Sequence, residues 1–325
     1  MSSSESSAKR QRMENAPITR SNIWHRDGSV VLQAEATQFR VHWSVLALSS
    51  PFFRDVQDLP QPSDQPSVEG CPLVELQDDA TDVEYLLKAL YDPMFMGQKA
   101  LPFPAVAALI RLGRKYDFRH LLNSAVERLT FENPTTLEEY ATLPREAEKQ
   151  TTTRIVYHRG LIFDMISLAR ENNILSALPC AYYRAVANCD QQLFFDGIRK
   201  RDGTTASLAP VDVRRLVVAR QKLVQAQWNM ENTLGWLKTL SHYSDCDAPP
   251  SCDAFRNKTL SHCLASGSLR AFWNPTNMAM AKWRGLCDKC KYRAQESMTA
   301  GRKKMWEELP GFFNLPPWSE LKNDL

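Results

Sequence analysis

The side chains best equipped for chemistry in this chain are sulfurs. The stretch "LCDKC" sets Cys287 and Cys290 in a Cys-x2-Cys spacing, and "DCDAPPSC" sets Cys246 and Cys252 in a Cys-x5-Cys spacing, with 34 residues between the two pairs. Thiolates are soft ligands, and two short-spaced pairs can close a tetrahedral site around Zn²⁺. The x2 half has the ordinary spacing of a zinc knuckle. The x5 half is wider, and His242, His262 and Cys263 are rival ligands nearby in the sequence. The competing reading makes Cys246, Cys252 and Cys263 small packing residues and buries the Cys-x2-Cys thiols on a helix. A redox reading of the same motif needs a βαβ pattern around it, and the flanking sequence lacks one. No open ligand position or nearby base signals a catalytic zinc, so one structural zinc is the metal expected.

The next candidate is His42, inside "ATQFRVHWSVLALSSPFFRDV". A catalytic His needs a nucleophile or acid held within reach, and none is signalled beside it. Its expected work is to hold a strand-to-helix corner. A third candidate is basic: Lys282, Arg284, Lys289, Lys291, Arg293, Arg302, Lys303 and Lys304, interleaved with Trp283, Tyr292 and Trp306. Cations among aromatic rings suit a nucleic acid. Glu296, Glu307 and Glu308 dilute the run, which favours a solvated helix face. With no Gly-rich phosphate loop and no nucleophile motif, the chain reads as a non-enzyme.

The elements that must position these groups fall into two styles. Residues 29 to 42 read as a hairpin, "SVVLQAE" then "TQFRVH", because Gln38, Arg40 and His42 alternate with Phe39 and Val41. "WSVLALSS" then puts Val45, Leu46 and Leu48 on a short helix, and Ser50-Pro51 restarts the helix at "PFFRDV" as an N-cap followed by Pro. After a Pro-rich loop, "LVEL" is a further strand. Thr81 and Glu84 make a capping box for a helix whose apolar residues Val83, Leu86, Leu87, Leu90 and Tyr91 share one face. Two more helices follow, one through Leu109, Leu112 and Tyr116, one through Leu121, Leu122, Ala125 and Leu129. A few strands followed by several helices is an α+β domain with a helical flank.

Residues 27 to about 133 resemble a BTB/POZ domain. The resemblance rests on Asp27 ahead of "VVLQ", "FRVH" leading into "SVLALSSPFF", "LVELQDD" followed by "VEYLLKALYDP", and "LIRLGRKYDFRHLL". Over its whole length, including the closing "RKKMWEELPGFFNLPPWSEL", the chain further resembles BTB proteins of mushroom-type fungi. The resemblance implies a protein–protein interaction module, self-association as a homodimer, and partners of the kinds BTB domains serve, namely ubiquitin-ligase cullins and transcriptional corepressors. Trp43 departs from it, standing where the family often has Lys or Arg, a position that in relatives helps line the dimer groove together with that of Asp27.

The remaining sequence is read as helical. "RGLIFDMISLAREN" groups Leu161, Ile162, Met165, Ile166 and Ala169, and "VDVRRLVVARQKLVQAQW" repeats Leu216/Val217 at Leu223/Val224, with breaks at Pro179 and Gly203. Residues 1–21 are expected to be a disordered tail, 22–135 the BTB/POZ domain, 136–240 a helical region and 241–325 a Cys-containing module. The closing segment, with Trp306, Phe312, Phe313, Leu315 and Trp318, is too apolar to leave in water and is expected to fold back on its own domain. Net charge is +3, but residues 27 to 150 alone carry −8. Nucleic acid is thus excluded from the N-terminal half, leaving the basic C-terminus as its sole candidate contact. No window approaches the roughly 18 apolar residues of a membrane span, and "KRQR" at residues 9 to 12 is too short to claim nuclear import. The reading is an intracellular protein, in cytoplasm or nucleus, whose eight cysteines are thiols or ligands.

Overall fold

The computed structural model describes residues 17–59, 65–143, 154–238, 245–267, 269–272 and 283–325. His242, Lys282 and the "KRQR" run lie outside them. The chain forms two compact units, one of residues up to 129 with 152–157, the other of residues 130–151 with 158–324.

The first unit is built on a five-stranded sheet in the order β1-β3-β2-β5-β4. Its strands are β1 (Thr19–Trp24), β2 (Val30–Ala34), β3 (Thr37–Val41), β4 (Ser67–Val68) and β5 (Cys71–Leu76). The hairpin falls where alternation puts it, β2 antiparallel to β3 with Leu32 opposite Phe39. β5 lies parallel to β2 on the other side, so β2 is central, and Val30, Val31, Leu32 and Ala34 are all buried. β1 starts inside the stretch assigned to the tail. It pairs parallel with β3, Thr19 against Thr37, a contact the local sequence does not announce.

Helices α1 (Trp43–Ser49) and α2 (Pro51–Asp58) meet at Ser50. Its hydroxyl accepts from the Phe53 N–H at 3.1 Å and donates to the Tyr116 carbonyl at 2.5 Å, while the residue is fully buried. One side chain thus caps a helix and ties it to a distant one. Ser50→Ala is expected to cost about 1–3 kcal/mol, the loss of a cap together with an orphaned carbonyl, read as a lower urea midpoint with an unchanged slope. On α1 the buried residues are Leu46 and Ala47, and Leu48 is 83 % exposed.

Helix α3 (Ala80–Tyr91) departs from the expected capping box. Its N-cap is Asp79, whose carboxylate accepts from the N–H groups of Thr81 at 2.8 Å and Asp82 at 3.2 Å. A carboxylate at a helix start gains from the helix dipole as a Thr hydroxyl does not, and Glu84 pairs instead with Lys88 at 2.6 Å. The expected apolar face stands, with Val83, Leu86 and Leu87 buried. Helices α4 (Phe103–Lys115) and α5 (Arg119–Glu132) complete the flank, α3 packing on α4. Residues 154–157 return to this unit, where Ile155 bridges Leu101.

In the second unit α6 (Leu161–Glu171) and α7 (Leu178–Asn188) pack together, and α8 (Pro210–Ala226) buries Leu216, Ala219 and Leu223. The buried Asp212 accepts from Tyr182 Oη at 2.6 Å and Arg170 Nε at 2.8 Å, so its charge is compensated. The region read as all helical also holds a small hairpin, β6 (Ile198–Arg199) with β7 (Thr205–Ala206), turning at Gly203. Helices α9 (Pro249–Ser266) and α10 (Asp288–Glu307) follow. The closing aromatics fold back as expected: Trp306 Nε1 donates to the Thr135 carbonyl at 2.7 Å, Trp318 Nε1 to the Trp306 carbonyl at 2.8 Å, and Phe313 lies against Tyr182. No helix among the described residues is long and apolar enough to cross a membrane.

Candidate metal centre

All eight cysteines are free, and four converge. The sulfurs of Cys246, Cys252, Cys287 and Cys290 lie within 4.8 Å of one another. Ligands at a zinc–sulfur distance of about 2.3 Å in a tetrahedron stand about 3.8 Å apart. Here Cys246 Sγ is 3.8 Å from Cys287 Sγ and 3.4 Å from Cys290 Sγ. The four are close enough to hold a metal ion.

Their placement follows from the two helices. Cys252 is in the first turn of α9 and Cys246 is in the loop before it. Cys287 is the N-cap of α10, its sulfur accepting from the Cys290 N–H at 3.5 Å, while the Cys287 N–H points to Cys252 Sγ at 3.2 Å. Two glycines permit this seating. A Cβ at Gly285 would stand 2.5 Å from the Phe255 ring, and one at Gly301 would stand 2.4 Å from the Asn232 backbone, so only glycine lets α10 and its leading loop lie this close. Lys289 pairs with Asp247 at 2.6 Å and Arg293 with Asp245 at 2.7 Å, holding the loop that bears Cys246 against α10.

The electrostatics suit a cation. The backbone N–H of Cys290 is the main influence that draws the Cys287 thiol down to about 6. Burial pushes Cys252 and Cys290 up, Cys290 strongly. One thiolate is therefore easily formed and the buried pair resists ionising until a positive charge arrives, which a divalent metal supplies.

Two of the rival ligands, Cys263 and His262, go elsewhere. Cys263 follows Cys252 by three turns of α9 on the same face, roughly 16 Å further along at 1.5 Å per residue. It is buried with Trp228, Leu234, Trp236, Leu237, Trp283, Ala294 and Met298. His262 is exposed. That apolar cluster was not visible in the sequence of the module, because much of it comes from residues 228–237, upstream of the boundary drawn at 241.

His42 serves its corner through other contacts than a helix cap. It occupies the N-cap of α1 without a side-chain cap bond. Its backbone N–H donates to Tyr91 Oη at 2.8 Å, its Nδ1 lies 3.2 Å from the same oxygen, and its Nε2 is 3.3 Å from Asp27 Oδ1. His25 stacks on Tyr91 at 4.5 Å. Trp43 donates its backbone N–H to Ser29 Oγ and leans on Phe53.

Part of the basic run is spent inside its own unit. Lys289 and Arg293 are paired as above, Lys304 pairs with Glu231, and Arg302 is buried. Trp283 and Trp306 are buried too, leaving Tyr292 as the exposed ring of the set.

Residues 27–132 match the model of the BTB/POZ domain family. The small mixed sheet with its helical flank is that fold, so the chain is a BTB/POZ domain-containing protein with a mostly helical C-terminal region. The domain is a protein–protein interaction module. No curated protein matches the chain.

Proposed function

We infer that this chain is a non-enzymatic interaction scaffold: its BTB/POZ domain pairs with a second copy, and its C-terminal region is closed by one structural zinc on Cys246, Cys252, Cys287 and Cys290. The observation that carries the interaction role is the BTB/POZ match over residues 27–132. The zinc reading is supported by the all-sulfur ligand set, which leaves no position for water and so suits a structural site. An intracellular setting, in cytoplasm or nucleus, keeps these thiols reduced and available.

Nucleic acid as the C-terminal partner draws less support, since Lys289, Arg293 and Lys304 are engaged in ion pairs, Arg302 is buried, and the rings of Trp283 and Trp306 are covered. Multi-angle light scattering on the full chain tests the pairing. The expected mass is twice the 37.1 kDa of one chain; a single-chain mass at high micromolar concentration overturns it.

A further inference from the structure

We propose that the four-cysteine centre is a redox switch, in which peroxide joins Cys246 to Cys287 and releases the metal. This rests on the zinc reading above and adds regulation to the same site. The four cysteines are unequal in access: Cys246 and Cys287 are partly exposed, whereas Cys252 and Cys290 are buried. An oxidant arriving from water meets the first pair. Those two sulfurs are also neighbours at 3.8 Å, from segments 41 residues apart, so a bond between them needs only a short approach. Cys290 is closer to Cys246, at 3.4 Å, but it is covered.

The balance is simple. Hydrogen peroxide takes two electrons from the Cys246 and Cys287 thiolates; one S–S bond forms, the O–O bond breaks, and two protons from solvent complete two waters. Zinc, left with two ligands, departs as the aquated ion, and Cys252 and Cys290 each take a proton and stay as thiols. The ion pairs Lys289–Asp247 and Arg293–Asp245 do not involve the metal, so they keep the Cys246 loop beside α10 after it leaves. A thiol reductant therefore restores a site that is still assembled.

The test treats full-length protein, purified without added zinc and assayed for metal, with one equivalent of hydrogen peroxide in the presence of a chromogenic zinc chelator. The expected result is release of the bound zinc, a fall in denatured thiol count from eight by two, and recovery of zinc binding after dithiothreitol. Trypsin cuts after Lys289 and Asp-N before Asp245, Asp247, Asp253 and Asp288, so together they separate all four cysteines, and the linked peptides should join Cys246 to Cys287. A link from Cys287 to Cys290, or sulfinic acid in place of a disulfide, overturns the assignment. Protein that keeps its zinc through oxidation overturns the switch alone. Protein that carries no metal before peroxide is added overturns the zinc reading and the switch with it.

Discussion

Leu87→Asp is expected to unfold the BTB/POZ domain. Leu87 is fully buried on α3, in the stripe with Val83 and Leu86. An unpaired carboxylate in such a place costs several kcal/mol even if it takes up a proton to shed its charge. Domains are stable by only about 5–15 kcal/mol, so the loss is of the same order as the whole. Leu48→Asp is the matched control, because Leu48 projects into solvent and a carboxylate there meets water. Urea unfolding followed by far-UV circular dichroism should show the first unit's transition near wild type in the control and absent in Leu87→Asp. If Leu87→Asp melts within a degree or two of wild type, that stripe does not form the core.

The second large effect is expected on removing the metal. A ligand that binds only the folded state at a thousand times its Kd stabilises it by about 4 kcal/mol. For a unit of 150–250 residues each kcal/mol moves Tm by about 2–4 °C, so stripping zinc should lower the melting of the second unit by roughly 8–16 °C. The expected loss is a shift rather than collapse, because the apolar cluster around Trp236, Trp283 and Met298 contains none of the four candidate ligands. Cys287→Ser/Cys290→Ser should reproduce the shift and make the protein indifferent to chelator. Acid should act in the same direction, since protons compete with metal for thiolates. The first unit should melt as before in every case, and calorimetry with and without chelator separates the two transitions.

Much of this architecture could be read from the residues, where the pattern was local. The β2–β3 hairpin announced itself by alternation, and the α1–α2 break by Ser50-Pro51, because each signal sits within a few residues of the structure it makes. Pairings set by distant partners stayed hidden. β1 is a polar strand, "TRSNIW", recognisable only through its parallel partner β3. The β6–β7 hairpin has two residues a side, too few for a period. Helix α3 shows how near signals compete: Asp79 and Thr81 both suit a cap, and the charge on Asp79 decides it.

The centre was half legible. Cys287 and Cys290 carry a spacing that fixes their geometry on one helix turn, whereas the upstream partners depended on where α9 points. Cys263 and Cys252 look alike in sequence and lie three turns apart in space. The basic run, read as a solvated helix face, is partly engaged within its own unit, where Lys289, Arg293 and Lys304 pair with Asp247, Asp245 and Glu231.

Elemental analysis of the full-length protein, purified without added zinc and set beside the Cys287→Ser/Cys290→Ser variant, tests the metal centre most directly. The account predicts about one zinc per chain in the wild type and none in the variant. No metal in either protein, with melting unchanged by chelator, would contradict it and leave the four sulfurs as packing residues.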